Sequence, residues 1–178
     1  MKIKTITTWN NKLYKDYAYR FKETYNWPFP LKIYNEDECM MKAIPDLKEF
    51  VERNKHKQPY SDYKVKGKEF LTDGVRFSYK VYAYTHALMT ENVDGLICID
   101  ADSVFYKKID EEWVKKHIHR DECMMTYLGR GSNYSECGFL YFNLNHADTL
   151  AYANRMKSLY DTDGIYNLKE QHDSYVWD

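Results

Sequence analysis

Asp94-Gly95-Leu96-Ile97-Cys98-Ile99-Asp100-Ala101-Asp102-Ser103-Val104 is the stretch on which the reading of this chain turns. An apolar run bounded by Gly and Asp fits a strand buried on both faces, as in a parallel sheet covered by helices. Asp100 and Asp102 then fall at its carboxyl end, where open α/β sheets place their ligand sites. Two hard oxygen ligands at the rim of a rigid sheet suit a divalent cation that carries phosphate. The competing reading is a polar loop after a core strand, with one Asp capping the next element.

The residues before this stretch favour the first reading. Thr72-Asp73-Gly74 starts a helix whose buried stripe is Phe77, Val81, Tyr84 and Leu88. Arg76 and Lys80 lie four apart on another face of its first two turns, near an N-terminus that is itself positive. If that helix packs beside the Asp strand, a diphosphate can bridge metal and cations. A solvated face is the alternative for this pair.

Further back, Lys2 to Thr8 alternates as a first strand, and Asn10 or Asn11 caps a helix carrying Leu13, Tyr17 and Phe21. Trp27-Pro28-Phe29-Pro30 ends that helix. Leu31 to Tyr34 is a short strand running into Asn35-Glu36-Asp37-Glu38, and Ile44 to Asn54 is a helix with Pro45 in its first turn. Arg53 to Lys66 reads as an exposed loop.

Beyond the Asp pair, Val104 to Tyr106 suggests a short strand, and Asp110-Glu111-Glu112 opens a helix through about His117. Cys123 to Leu128 and Phe139 to Leu144 are the remaining strands. Asn145 is the expected cap of a helix to about Tyr160, with Leu150, Ala153 and Met156 or Lys157 inward. Leu168 to Asp178 reads as helical, yet the sequence stops inside it. Either the domain is very compact or a C-terminal tail is missing. Strands alternating with helices indicate one α/β domain over 1–178 with a mainly parallel sheet.

Composition excludes some functions. The formal charge of −1 lacks the basic excess of a dedicated nucleic-acid binder. No apolar stretch approaches the roughly 20 residues that span a bilayer, and no signal-peptide core follows Met1. Cys39, Cys98, Cys123 and Cys137 form no CxxC pair and read as reduced thiols of a cytoplasmic protein. The 18 tyrosines offer amphipathic faces suited to sugars and bases, although an AT-rich coding sequence also explains most of them.

Thr7-Thr8 ending strand one, Arg76 and Lys80 ahead of Leu96-Ile97-Cys98-Ile99-Asp100-Ala101-Asp102, and Glu136-Cys137-Gly138-Phe139 before Asn143 resemble nucleotide-sugar glycosyltransferases of the GT-A fold, a Rossmann-like architecture. Order and spacing carry the resemblance, closest in style to small phage or bacterial members. It implies transfer of a sugar from a nucleoside diphosphate sugar, most often UDP-linked, to a glycan, protein or small-molecule acceptor. Asp102 is then the ligand of Mn²⁺ or Mg²⁺, with Asp100 touching the metal or the ribose and Ala101 between them. Thr7, Thr8, Trp9 and Glu36 fall where the nucleotide is held, and Arg76 and Lys80 neutralise the leaving diphosphate. Asp173 matches the carboxylate that meets the acceptor hydroxyl and serves as base in inverting members, and Glu136 resembles the residue lining the sugar pocket. His172 is the available third metal ligand. Acceptor choice is expected in 129–135 and in the last segment.

Two rivals follow from the same residues. Ile99-Asp100-Ala101-Asp102-Ser103-Val104 also resembles the opening motif of haloacid dehalogenase phosphatases, with Asp100 as nucleophile, Asp102 as acid/base and Mg²⁺. That motif normally opens a chain, and no later acidic pair completes its metal site. A nucleotide-sugar-binding module without activity is the second. Sugar, acceptor, stereochemical outcome and oligomeric state stay open in the sequence.

Overall fold

A computed structural model describes residues 1–57, 67–131 and 134–178, and only the backbone of Glu38 and Cys39. Along the chain the elements are β1 (Ile3–Trp9), α1 (Asn11–Leu13), a π-helical turn (Tyr14–Ala18), α2 (Tyr19–Thr24), β2 (Leu31–Asn35), α3 (Glu38–Ala43) and α4 (Pro45–Asn54). Then come α5 (Gly74–Thr90), β3 (Gly95–Ile99), α6 (Glu111–His117), β4 (Met125–Leu128), β5 (Glu136–Asn143), α7 (Thr149–Asp161) and α8 (Asp173–Trp177).

The strands form one five-stranded sheet in the order β2-β1-β3-β5-β4. β1 pairs in parallel with β2 and β3, whereas β5 runs antiparallel to both β3 and β4. The sheet is therefore mixed, where the alternation of elements suggested a mainly parallel one. The reason is local: β4 reaches β5 through residues 129–135, too short for a helical crossover, so the strand must reverse.

Each face of the sheet carries its own core. On one side Ile6, Leu96, Cys98, Leu140 and Phe142 meet α4, α5 and α7 through Phe50, Val81, Tyr84 and Tyr160. On the other, Ile3, Trp9, Ile97, Ile99 and Tyr141 meet Phe21 of α2 and Val114 of α6. The period of two in β1 and β3 assigns alternate residues to the two cores. Every residue of β3 is buried, as its apolar run requires.

Three expected helix starts have their caps. Asn10 accepts from Leu13 N at 2.9 Å, Asp73 from Arg76 N at 3.0 Å, and Asp110 from Trp113 N at 2.8 Å, each satisfying an otherwise orphan amide.

Other expectations need correction. Residues 104–106 make no strand; Phe105 instead packs edge-on to Phe21 and Trp27 at 4.8 Å. Asn145 caps nothing, since its side chain donates to Asp94 and α7 starts only at Thr149. That later start rotates the inner face to Thr149, Ala153, Met156 and Tyr160 and leaves Leu150 55% exposed. The last segment is helical only in its final turn and a half. The expected 53–66 loop and the 129–135 segment fall partly outside the described residues. Among those described, no helix is long and apolar enough to cross a membrane.

Candidate active site

β1 sends its chain toward β2 on one side, while β3 lies on the other, so the crevice between their carboxyl ends is the topological switch point of the sheet. Asp100 follows β3 directly. Its amide donates to Gly138 O at 3.0 Å and its carbonyl accepts from Ser103 N at 3.1 Å, so the turn holding Ala101 and Asp102 is pinned to β5. Ala101 is buried and Asp102 exposed, which directs the second carboxylate to solvent at the mouth of the crevice.

By the alternation of β3, Asp100 turns toward α5. There the Lys80 ammonium lies 2.5 Å from Asp100 Oδ1 and 2.5 Å from Asp173 Oδ2, and donates to Cys137 O at 3.0 Å. Four elements meet on one cation: α5, β3, β5 and α8. Burial works against the Lys80 charge, but the two carboxylates outweigh it and hold the ammonium above its ordinary value. For Asp100, burial is the larger influence and raises its carboxyl despite Lys80. Asp173 is also penalised by burial, yet Lys80 and the Ser174 amide bring it below the usual carboxylate range. Asp173 is thus a persistent anion beside a persistent cation.

Gly138 shapes the floor. A Cβ there would stand 2.9 Å from Glu136 Oε1 and 3.4 Å from Asp100 Oδ2, so the missing side chain leaves room between two carboxylates. Glu136 Oε1 accepts from Gly138 N at 2.8 Å, and Oε2 pairs with Arg130.

At the β1–β2 side, Glu36 accepts from Thr8 Oγ1 at 2.9 Å and from Asn10 Nδ2 at 3.0 Å. Burial raises its carboxyl, and neutral donors compensate only in part. Tyr17 stands among these groups: burial, then the charges of Asp102 and Glu36, raise its phenol, with Arg76 opposing. Tyr79 similarly responds to burial, Glu36 and Asp37.

The structure therefore gathers Thr8, Glu36, Arg76, Asp100, Asp102, Glu136 and Asp173 around the carboxyl ends of β1 and β3, but it divides others from them. Lys80 is 9% exposed, whereas Arg76 is exposed, so the two do not present one cationic face. Thr7 and Trp9 alternate away from Thr8 into the core beside α2, with Trp9 against Phe21 at 5.7 Å. His172 is buried, bonded through Nε2 to Glu170 Oε2 at 2.8 Å, edge-on to Phe77 and tilted against Tyr134. Among the described residues, no three His, Cys, Asp or Glu side chains converge as a metal cluster, so His172 does not join the Asp pair.

Sequence reasoning missed Tyr17 and Asn10 as neighbours of the crevice. Tyr17 fitted the buried stripe of an ordinary helix, and nothing in the sequence marks the π turn that reorients it. Asn10 was read as a cap; its carboxamide does both tasks. No protein-family model matches the chain, and no curated protein matches it.

Proposed function

We propose that this chain is a GT-A-like glycosyltransferase that moves a sugar from a nucleoside diphosphate sugar, UDP-linked, to an acceptor hydroxyl. The observation that carries the reading is the position of Asp100 and Asp102 at the β1/β3 switch point, one carboxylate braced by Lys80 and the other facing solvent. A phosphate-bound Mg²⁺ or Mn²⁺ needs only one or two carboxylates, its other positions going to water and phosphate oxygens. Asp102 and Asp100 Oδ2 would meet that need, since Lys80 pairs with Oδ1 and Gly138 places no side chain against Oδ2. When bound, the cation supplies charge neutralisation and Lewis acidity for departure of the diphosphate.

The chain's own residues supply the rest. Exposed Arg76 adds positive charge beside the crevice. Glu36, held by Thr8 and Asn10, offers carboxylate oxygens at the nucleotide end. Asp173, ionised across the physiological range, receives the proton of the acceptor hydroxyl. Glu136 stands beside Gly138 next to Asp100, where the sugar of the donor would lie.

Thermal denaturation with UDP tests this reading. Stabilisation is expected only with Mn²⁺ or Mg²⁺ present, and at 100 times the dissociation constant it amounts to about 2.7 kcal/mol. Asp102→Ala abolishes it. Binding that survives Asp102→Ala, or turnover of a generic phosphate ester without any UDP effect, sinks the proposal. UDP-sugar binding with neither transfer nor donor hydrolysis identifies a binding module instead.

A further inference from the structure

An ammonium has three N–H donors and no acceptor. At Lys80 three acceptors stand within bonding distance: Asp100 Oδ1 at 2.5 Å, Asp173 Oδ2 at 2.5 Å and Cys137 O at 3.0 Å. All three donors are engaged, and the group is enclosed. A diphosphate approaching the crevice finds no free donor on Lys80 and would have to break a buried, doubly charge-assisted arrangement to obtain one. Arg76, one helical turn earlier and exposed, carries no such commitment to Asp100 or Asp173.

The three acceptors come from distant parts of the chain. Asp100 belongs to the donor crevice and Cys137 to β5, while Asp173 belongs to the last segment. That segment has other moorings: Gln171 N donates to Leu71 O at 2.7 Å, Tyr152 hydroxyl donates to Trp177 O at 2.7 Å, and Ser135 N donates to Asp178 at 2.9 Å. These hold its backbone and its end. Lys80 is the contact that ties its carboxylate to Asp100.

We propose that Lys80 is a positioning residue and not a diphosphate ligand: it couples the Asp100 crevice to Asp173, setting the last segment over the donor site. The proposal rests on the glycosyltransferase reading for what Asp173 does, but not for the coupling itself. Charge neutralisation of the diphosphate passes to Arg76.

Lys80→Gln, Lys80→Arg and Arg76→Ala separate the two roles. For Lys80→Gln, the affinity for UDP with Mn²⁺ stays within about threefold of wild type. Its kcat for UDP-sugar falls about 100-fold, the scale of a misplaced group, with little change in KM. Lys80→Arg recovers part of kcat. Arg76→Ala weakens UDP by about tenfold or more, the worth of a charge-assisted hydrogen bond. Independently of activity, hydrogen exchange in Lys80→Gln rises across 172–177 while β1 and β3 keep their protection.

A Lys80→Gln protein with tenfold weaker UDP, or with unchanged exchange in 172–177, overturns the proposal. If Lys80→Gln does not fold, Asp173→Asn gives the same exchange test, since it removes the segment's charge alone; unchanged exchange there is equally fatal. Wild-type protein that neither binds UDP nor turns over UDP-sugar refutes the glycosyltransferase reading, and the exchange result still decides the coupling.

Discussion

The two ends of the β3–β5 pair are built from similar parts and behave oppositely. Each has a glycine that side chains press against, Gly95 at one end and Gly138 at the other. Around Gly95 the polar groups meet in single hydrogen bonds: Tyr141 hydroxyl pairs with His119 Nδ1 at 2.8 Å, and Asp94 accepts from Lys2 N at 2.6 Å and Asn145 Nδ2 at 3.2 Å. Around Gly138 an ammonium is buried between two carboxylates, with Glu136 and Asp102 beside them. Folding alone gives little reason to bury such charges, because desolvation offsets most of the Coulomb gain. A sheet end that keeps them is the end where ligand chemistry is expected.

Alanine at each glycine tests that contrast, and Gly95 gives the larger loss of stability. There a Cβ would lie 2.6 Å from the Tyr141 oxygen and 2.8 Å from Cε2 of a ring that is 1% exposed and fixed by His119. The ring cannot withdraw, so Gly95→Ala costs about 1–3 kcal/mol, the usual price of overpacking. By the scaling for a chain of this size, the melting temperature drops by roughly 2–12 °C. UDP and Mn²⁺ binding by the folded fraction is unchanged. Urea denaturation with ligand titration reads both quantities.

Gly138→Ala inverts the pattern. Its Cβ meets the ends of two carboxylate side chains, which can move aside. Stability therefore shifts by less than about 1 kcal/mol, within the range of ordinary tolerated substitutions. The space between Glu136 and Asp100 Oδ2 is filled, however, and the metal-dependent UDP stabilisation shrinks or disappears. A Gly138→Ala protein that melts far below wild type but binds normally would show this end to be scaffold.

Much of this contrast could be read from the sequence and some could not. The β3 run, the Asp pair at its end and the caps at Asn10, Asp73 and Asp110 are local patterns, and local physics set them. Lys80 was legible as a cation near the Asp strand, but its burial was not. α5 is enclosed by the sheet, α4 and α7, so a residue at a polar helical position becomes interior. The Asp173 contact spans 93 positions and depends on where the last segment docks, which no spacing encodes. The glycosyltransferase resemblance puts Thr7 and Trp9 in the crevice with Thr8. Strand alternation sends only Thr8 to it. His172 looked available as a ligand until Glu170, two residues away, took its Nε2.

The smallest predicted effect separates two carboxylates of the crevice by their partners. Glu36 is raised from 4.5 because burial outweighs the Thr8 and Asn10 donors and the weaker pull of Arg76, whereas Asp173 is lowered from 3.8 because Lys80 overrides its burial. For a raised group the folded state holds the proton more tightly than the unfolded chain, so its stabilising contribution is complete below 4.5 and is lost as pH rises through the folded value. Glu36→Gln therefore gains on wild type as pH climbs from 4 toward neutrality. The sign reverses for Asp173. Its contribution is present above 3.8 and fades as pH falls through the lower folded value, so wild type loses its advantage over Asp173→Asn in acid. Urea midpoints of the three proteins across acid and neutral pH give two difference curves of opposite slope. Parallel curves would mean that Lys80 does not distinguish Asp173 from a carboxylate served by neutral donors, and the buried ammonium would then have no electrostatic role at this end of the sheet.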